Sequence, residues 1–227
     1  DLGVEESLAK VPVLQKNIID KCTKAKKPVI VATQILDSMI KNPTPTRAEV
    51  NDVANAVYDG VDAVMLSEET AAGEYPIESV SIMSDIIKDV ESSIQVKIDG
   101  IDRVKNDNRI AIGHSVRLIT QSMDIDGIVV MSESSATARI VSHFRPNVTI
   151  YGMSPHAYIC NRMALLWGVV PVQTKSFIST DDMIVTAEKV LLNKKFMKKG
   201  QTFVLTAGIP IGVSGTTNMI QIQKIKK

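Results

Sequence analysis

The sequence predicts an α/β protein in two parts, each built from strands and helices alternating along the chain. Three observations carry that expectation. The apolar runs Pro28-Val-Ile-Val-Ala-Thr33 and Asp62-Ala-Val-Met-Leu-Ser67 each end in a hydroxyl residue, as buried parallel strands do where their C-terminal ends open onto a site. Between them Thr46 and Glu49 have capping-box spacing, and Val50, Val53, Ala54 and Val57 fall at i, i+3, i+4 and i+7 before Gly60. Beyond a polar stretch at 96–108, which carries Gly and Asn and has no periodicity, the alternation begins again, and we place a linker there.

Taken in order, residues 1–6 follow a strand that is not in this chain. Pro12 opens a helix whose Val11, Leu14, Ile18, Cys22 and Ala25 make one apolar stripe. The strand at 28–33, the helix after Thr46 and the strand at 62–67 come next. A loop, 67–75, leads to a helix from Pro76 with Ile77, Val80, Ile87 and Val90 on its buried side. Helix, strand, helix, strand, helix is the pattern of the closing elements of a TIM (β/α)8 barrel, which we assign to residues 1–95. Two strands do not close a ring, so this part is expected to be poorly stable alone.

Residues 109–227 form the second domain. A helix at about 110–122 precedes strands at 127–131, 148–153, 168–172, 201–206 and 216–225, with helices from Ser135, Pro155 and Thr180 between the earlier ones. Helices between apolar strands predict a three-layer αβα domain with a mainly parallel five-stranded sheet. The last two strands are joined by only 207–215, too short for a crossover helix, so they form an antiparallel hairpin.

Composition suits this picture. The 227 residues are 44% hydrophobic and 22% charged, with a formal net charge of +1, which offers no bulk attraction to nucleic acid or an anionic membrane. The basic run Lys194-Lys-Phe-Met-Lys-Lys199 closes a helix before Gly200, where cations favour the helix dipole. Cys22 and Cys160 read as core thiols of a reducing compartment. No apolar run reaches the roughly 18 residues of a membrane span, and no signal peptide opens the chain. The chain begins at Asp and not Met, which suggests a fragment.

Asp1, Thr33 and Ser67 stand at successive strand ends, and in a barrel those ends share the face where active sites lie. A carboxylate there suits a hard cation such as Mg²⁺, or is a solvated chain end. Ser67, Glu69 and Thr70 either meet a ligand or form a helix-preceding turn. In the second domain Ser132-Glu-Ser-Ser-Ala-Thr137 runs from a strand end into a helix. Its hydroxyls and amides either cradle a phosphate or cap the helix through Ser134 or Ser135, and Glu133 opposes an anion if it points inward. His114, His143 and His156 share no metal spacing and read as surface or capping residues, with Trp167 in the core. Arg139 and Arg145 flank the loop helix.

The words Val-Ile-Val-Ala-Thr-Gln, Pro-Thr-Arg-Ala-Glu-Val, Asp-Val-Ala-Asn-Ala-Val and Met-Leu-Ser-x-Glu-Thr-Ala, in this order, closely resemble pyruvate kinase. So do Asp1-Leu-Gly at the start, Thr137-Ala-Arg-Ile-Val-Ser-His-Phe-Arg-Pro146, and Gly212-Val-Ser-Gly-Thr-Thr-Asn218. The resemblance covers essentially the whole chain and matches the C-terminal part of that family. It implies phosphoryl transfer from phosphoenolpyruvate to ADP in glycolysis, in a cytoplasmic homotetramer. It also implies Asp1 as a ligand of Mg²⁺ or Mn²⁺, substrate contacts at Asp1, Gly3 and Thr33, and a catalytic role for Thr33 near the carbon that gains a proton.

The family's Lys, Arg, second acidic metal ligand and K⁺ site lie in sequence this chain lacks, so the chain alone is expected to be inactive. The family often reads Ser-Gly-Glu-Thr-Ala-Lys-Gly where this chain has Glu68 and Ala72, which weakens nucleotide contact by that loop. The resemblance further implies an effector site for a phosphorylated sugar or nucleotide at Ser132, Ser134, Ser135, Thr137, Gly212, Gly215 and Thr216. No Trp or Arg lies within 208–216 to favour fructose bisphosphate in particular. The alternative reading is a non-catalytic phosphometabolite-binding or subunit-assembly module.

Overall fold

The computed structural model describes residues 2–94, 107–213 and 215–226. It divides into two compact units, Asp1–Lys97 and Ile98–Lys227. Of the linker expected at 96–108, only Asp107 and Asn108 fall among the described residues: Asp107 accepts the Arg109 amide at 3.0 Å and Asn108 already opens a helix.

In the first unit a short helix α1 (Leu2–Glu5) and a 3-10 turn (Leu8–Lys10) lead into α2 (Val11–Lys24). Then come β1 (Ile30–Ala32), a 3-10 turn (Asp37–Ile40), α3 (Arg47–Tyr58), β2 (Ala63–Met65), α4 (Glu68–Ala71) and α5 (Pro76–Ser93). β1 and β2 pair in parallel, Ile30 with Ala63 and Ala32 with Met65. The capping box forms as the spacing requires: the Thr46 hydroxyl accepts the Glu49 amide at 3.3 Å, and the Glu49 carboxylate accepts the Thr46 amide at 2.7 Å. Ile35, Leu36, Met39, Val53 and Met83 make the core above the strand ends.

Two expected stripes are displaced. In α2 the buried residue is Ile19, while Ile18 is exposed. In α5, Ile77 is 79% and Val80 54% exposed, and Ser79, Met83 and Val90 line the buried side, with Ile87 half-buried. Ser79 takes a core position because its hydroxyl donates 2.7 Å to the Tyr75 carbonyl, so the backbone satisfies its polar group. The expected loop at 67–75 contains α4.

The second unit holds α6 (Asn108–Ser122), β3 (Gly127–Met131), α7 (Ala136–His143), β4 (Ile150–Ser154), α8 (Ala157–Met163), β5 (Val169–Gln173), α9 (Thr180–Asn193), β6 (Thr202–Gly208) and β7 (Thr217–Lys224). Its sheet has the order β5-β4-β3-β6-β7, parallel except for the β6–β7 hairpin. Alternate strand residues feed two cores. Val129, Met131, Met153, Phe203 and Leu205 pack with Met183, Ala187 and Leu191 of α9. On the other face Ile128, Val130, Ile150 and Val204 pack with Val116, Val141, Ile159 and Met163 of α6, α7 and α8. Burial on both faces is why these strands read as continuous apolar runs.

The three histidines part company here. His114 is not at the surface: it is 7% exposed within α6, edge-on to the Phe144 ring at 5.6 Å. His143 also meets Phe144 edge-on, at 5.3 Å. His156 occupies the N-cap position of α8 without a capping bond. Trp167 is half-buried and not in the core, with the Arg145 guanidinium over its ring at 4.9 Å. Cys160 is buried, and that burial pushes its thiol pKa up.

Candidate functional site

The first candidate lies where β1 and β2 end side by side. Ala32 and Met65 are register partners, so the residues that follow them, Thr33–Gln34 and Leu66–Ser67, leave the sheet at one edge. Thr33 has φ 72° and Gln34 φ 53°, and both are exposed. A β-branched residue in the left-handed region costs on the order of 1–3 kcal/mol and persists only where its surroundings impose it.

Those surroundings are visible. Ile35 and Leu36, immediately after the turn, are 4% and 0% exposed. The Leu36 amide donates to Glu69 Oε1 at 3.1 Å, and the Ser67 amide donates to Glu69 Oε2 at 2.7 Å. Glu69 is 2% exposed, so a buried carboxylate joins the loop after β1 to the loop after β2.

Glu49 secures the far end of the β1–α3 loop. It accepts the Ser38 amide at 2.7 Å and the Ser38 hydroxyl at 2.6 Å, beside its two bonds to Thr46. Burial pushes its pKa up, but the hydrogen bonds from Ser38 and Thr46 more than offset this and leave it below the ordinary carboxylate range. Gly73 closes the same region: a Cβ there would stand 2.5 Å from the Glu69 carbonyl oxygen, so no other residue fits without a shift.

Of the residues the sequence singled out here, Thr33, Ser67, Glu69 and Thr70 are gathered onto these two loops. The Thr70 hydroxyl donates to the Ser67 carbonyl at 3.3 Å, as a turn would have it. Gly3 lies exposed in α1, and Asp1 is outside the described residues. Sequence reasoning grouped Glu69 with possible ligands and did not mark it as the bond between the loops; Glu49 it read only as half of a capping box. Among the described residues no group of three His, Cys, Asp or Glu side chains could hold a metal ion.

The second candidate is a cleft between the β3–α7 loop and the β6–β7 loop, lined by Ser132, Glu133, Ser134, Thr137, Gly208, Gly212, Gly215, Thr216 and Thr217 above an apolar floor that includes Phe177 and Met183. Ser135, the N-cap residue of α7, has φ 65° and its side chain makes no capping bond. The expected capping role of Ser135 is therefore not taken up. Instead the loop is tied across the unit: Thr137 Oγ1 and Thr217 Oγ1 stand 2.6 Å apart. Gly208 permits the hairpin loop to fold back, since a Cβ would meet Thr216 Oγ1 at 2.5 Å. Asn218 brackets Ile209, accepting its amide at 2.9 Å and donating to its carbonyl at 2.7 Å.

Every cleft-lining hydroxyl the sequence named is present, except that Ser135 lies beside the lining without joining it; Thr217 was missed, although it stands inside the quoted Gly-Thr-Thr-Asn word. Among the described residues Glu133 is the one charged group in the lining, and its carboxylate pairs with His156 Nε2 at 3.0 Å. Neither Arg139 nor Arg145 lines the cleft. The cleft interior is about 30 Å³, enough for one or two waters, so a larger ligand must sit at its mouth or move a loop. Among the described residues no helix is long and apolar enough to cross a membrane.

With this geometry in view, comparison with known proteins gives a consistent result. The family model described as pyruvate kinase, barrel domain, matches residues 1–80, and that described as pyruvate kinase, alpha/beta domain, matches 110–223. Pyruvate kinase of Clostridium acetobutylicum is 40% identical over 231 residues, covering 100% of this chain and 48% of the relative. Those of Lactobacillus delbrueckii subsp. bulgaricus and Geobacillus stearothermophilus are 43% and 41% identical, each covering 99% of this chain and 39% of the relative. The chain thus spans half or less of the length of these relatives.

Proposed function

Because this chain belongs to the pyruvate kinase family, we propose that it serves as the C-terminal portion of an enzyme transferring the phosphoryl group of phosphoenolpyruvate to ADP. The observation that carries this reading is the left-handed Thr33 beside Ser67, at the paired ends of β1 and β2, within the segment that matches the barrel model.

In this reaction the bond from phosphorus to the enol oxygen breaks, and a bond from phosphorus to a terminal oxygen of ADP forms. The enolate left behind takes a proton on carbon and becomes pyruvate. In our reading Thr33 meets the substrate near that carbon, with Ser67, Glu69 and Thr70 shaping the neighbouring loop and Asp1 and Gly3 at the other end of the substrate. Such transfer is catalysed by positioning and by cations that neutralise developing charge. The described residues do not fit a divalent ion by themselves, since among them no group of three His, Cys, Asp or Glu side chains stands together. Asp1 is proposed as one ligand of Mg²⁺ or Mn²⁺, with the remaining ligands, the Lys, the Arg and a K⁺ site supplied by sequence outside this chain. The chain alone is accordingly inactive.

The hydroxyl-lined cleft of the second unit is proposed to take the phosphate of a sugar or nucleotide effector, and α3 to contribute to subunit contacts in a cytoplasmic homotetramer acting in glycolysis. That cleft also favours the second reading, a non-catalytic phosphometabolite-binding module.

The test is turnover of phosphoenolpyruvate and ADP by the natural polypeptide carrying this chain, as wild type and as Thr33→Ala. The expected result is turnover by the wild type and a fall in kcat in the variant that exceeds any change in substrate binding. No turnover by the wild type puts the binding module first.

A further inference from the structure

We infer that Glu69 is a positioning residue, whose buried carboxylate staples the loops after β1 and β2 and thereby holds the left-handed turn at Thr33 and Gln34, with Glu49 securing the other end of that loop. The inference rests on the reading of Thr33 as the residue that meets substrate.

A carboxylate 2% exposed must be compensated by hydrogen bonds, and Glu69 takes one amide from each loop. Leu36 lies three residues past Thr33 and is fully buried, so the amide bound by Glu69 belongs to the first fixed point after the strained turn. At the near side β1 is held by its parallel pairing with β2. Thr33 and Gln34 thus bridge two anchored points, and the backbone has no slack in which to relax to negative φ. Beyond Leu36 the chain is pinned again at Ser38, where Glu49 takes both the amide and the hydroxyl. Both Glu69 oxygens are engaged by backbone amides in a site 2% exposed, and its effect on catalysis passes through Thr33 and Ser67.

The decisive substitution is Glu69→Gln in the complete natural protein. The side chain keeps its shape, but one oxygen becomes an NH₂ that faces an amide N–H, so one of the two bonds is lost. The expected result is a fall in kcat of about 10- to 100-fold with KM little changed, because a catalytic group displaced by about 1 Å loses rate more than affinity. Amide hydrogen exchange at Leu36 and Ser67 should quicken while that of α3 stays as in the wild type. Glu69→Asp, which keeps the charge but is one methylene shorter and cannot meet both amides, should give a smaller fall of the same kind with the same faster exchange at Leu36 and Ser67, and decides the matter if Glu69→Gln does not fold. Glu78→Gln, exposed in the first turn of α5, serves as the unaffected control.

Unchanged exchange at Leu36 and Ser67 overturns the staple. Faster exchange there with unchanged kcat overturns the positioning role. If the wild type turns over no phosphoenolpyruvate, the reading of the reaction fails by itself, and the exchange at Leu36 and Ser67 still upholds or overturns the staple.

Discussion

Thr137 and Thr217, 80 residues apart in sequence, share a hydroxyl–hydroxyl hydrogen bond of 2.6 Å in the lining of the cleft. It links the first turn of α7, after the Ser/Thr-rich loop, to the start of β7, after the Gly-rich loop, which the sequence presents as separate words. Thr137 is 7% and Thr217 3% exposed, so neither hydroxyl has water as a ready substitute.

Thr137→Val keeps the volume and removes that bond, leaving the Thr217 hydroxyl buried and unpartnered. Stability should fall by about 1–3 kcal/mol, read by denaturant unfolding of the second unit. If the cleft binds phosphate, the midpoint of a titration with a phosphorylated sugar should move to higher concentration, and an unshifted midpoint would leave the bond a purely structural one.

Thr33→Ala should lower kcat by about 100-fold, in the range that a positioned proton-transfer group supplies, with a smaller effect on substrate affinity. Steady-state kinetics of the complete protein check this. Thr33→Gly separates strain from chemistry: glycine tolerates φ 72°, so this variant should match the alanine variant in rate and exceed it in thermal stability.

Glu49 makes stability depend on pH. Its carboxyl is lowered in the folded state, so the stabilisation is fully present above the unfolded value of about 4.3 and is lost as pH falls through the lower folded value. Urea unfolding at pH 7 and then in steps below pH 4.5 should show a decline that Glu49→Gln reduces.

Arg117, 5% exposed in α6, donates to the carbonyl oxygens of Phe144 and Arg145 just past the end of α7. Burial pushes its pKa down, yet those two acceptors remain its partners. Arg117→Met should destabilise the second unit by about 2–4 kcal/mol by removing both of these buried hydrogen bonds, with the loss visible as a lower Tm.

The chain by itself, assayed with phosphoenolpyruvate, ADP, Mg²⁺ and K⁺, should form no ATP. A coupled assay on pure material measures this, and Mg²⁺-dependent turnover would remove the assignment of essential cations to sequence beyond it.

Much of this was legible from the sequence because it depends on near neighbours. The alternation of apolar runs determined the order of strands and helices, the short 207–215 connection determined the antiparallel hairpin, and Thr46 and Glu49 at a spacing of three determined the start of α3. Tertiary structure alone decided which face of α5 is buried: Met83 packs in the core with Met39 and Val53, while Ile77 stays exposed. It also decided that His114 is buried against Phe144, and that the Leu36 amide, just past the left-handed turn at Thr33 and Gln34, meets a carboxylate 33 positions further along the chain. Local pattern reports the period of an element. Which side chain becomes the partner of a distant amide is set only when the strands pair and bring their ends together.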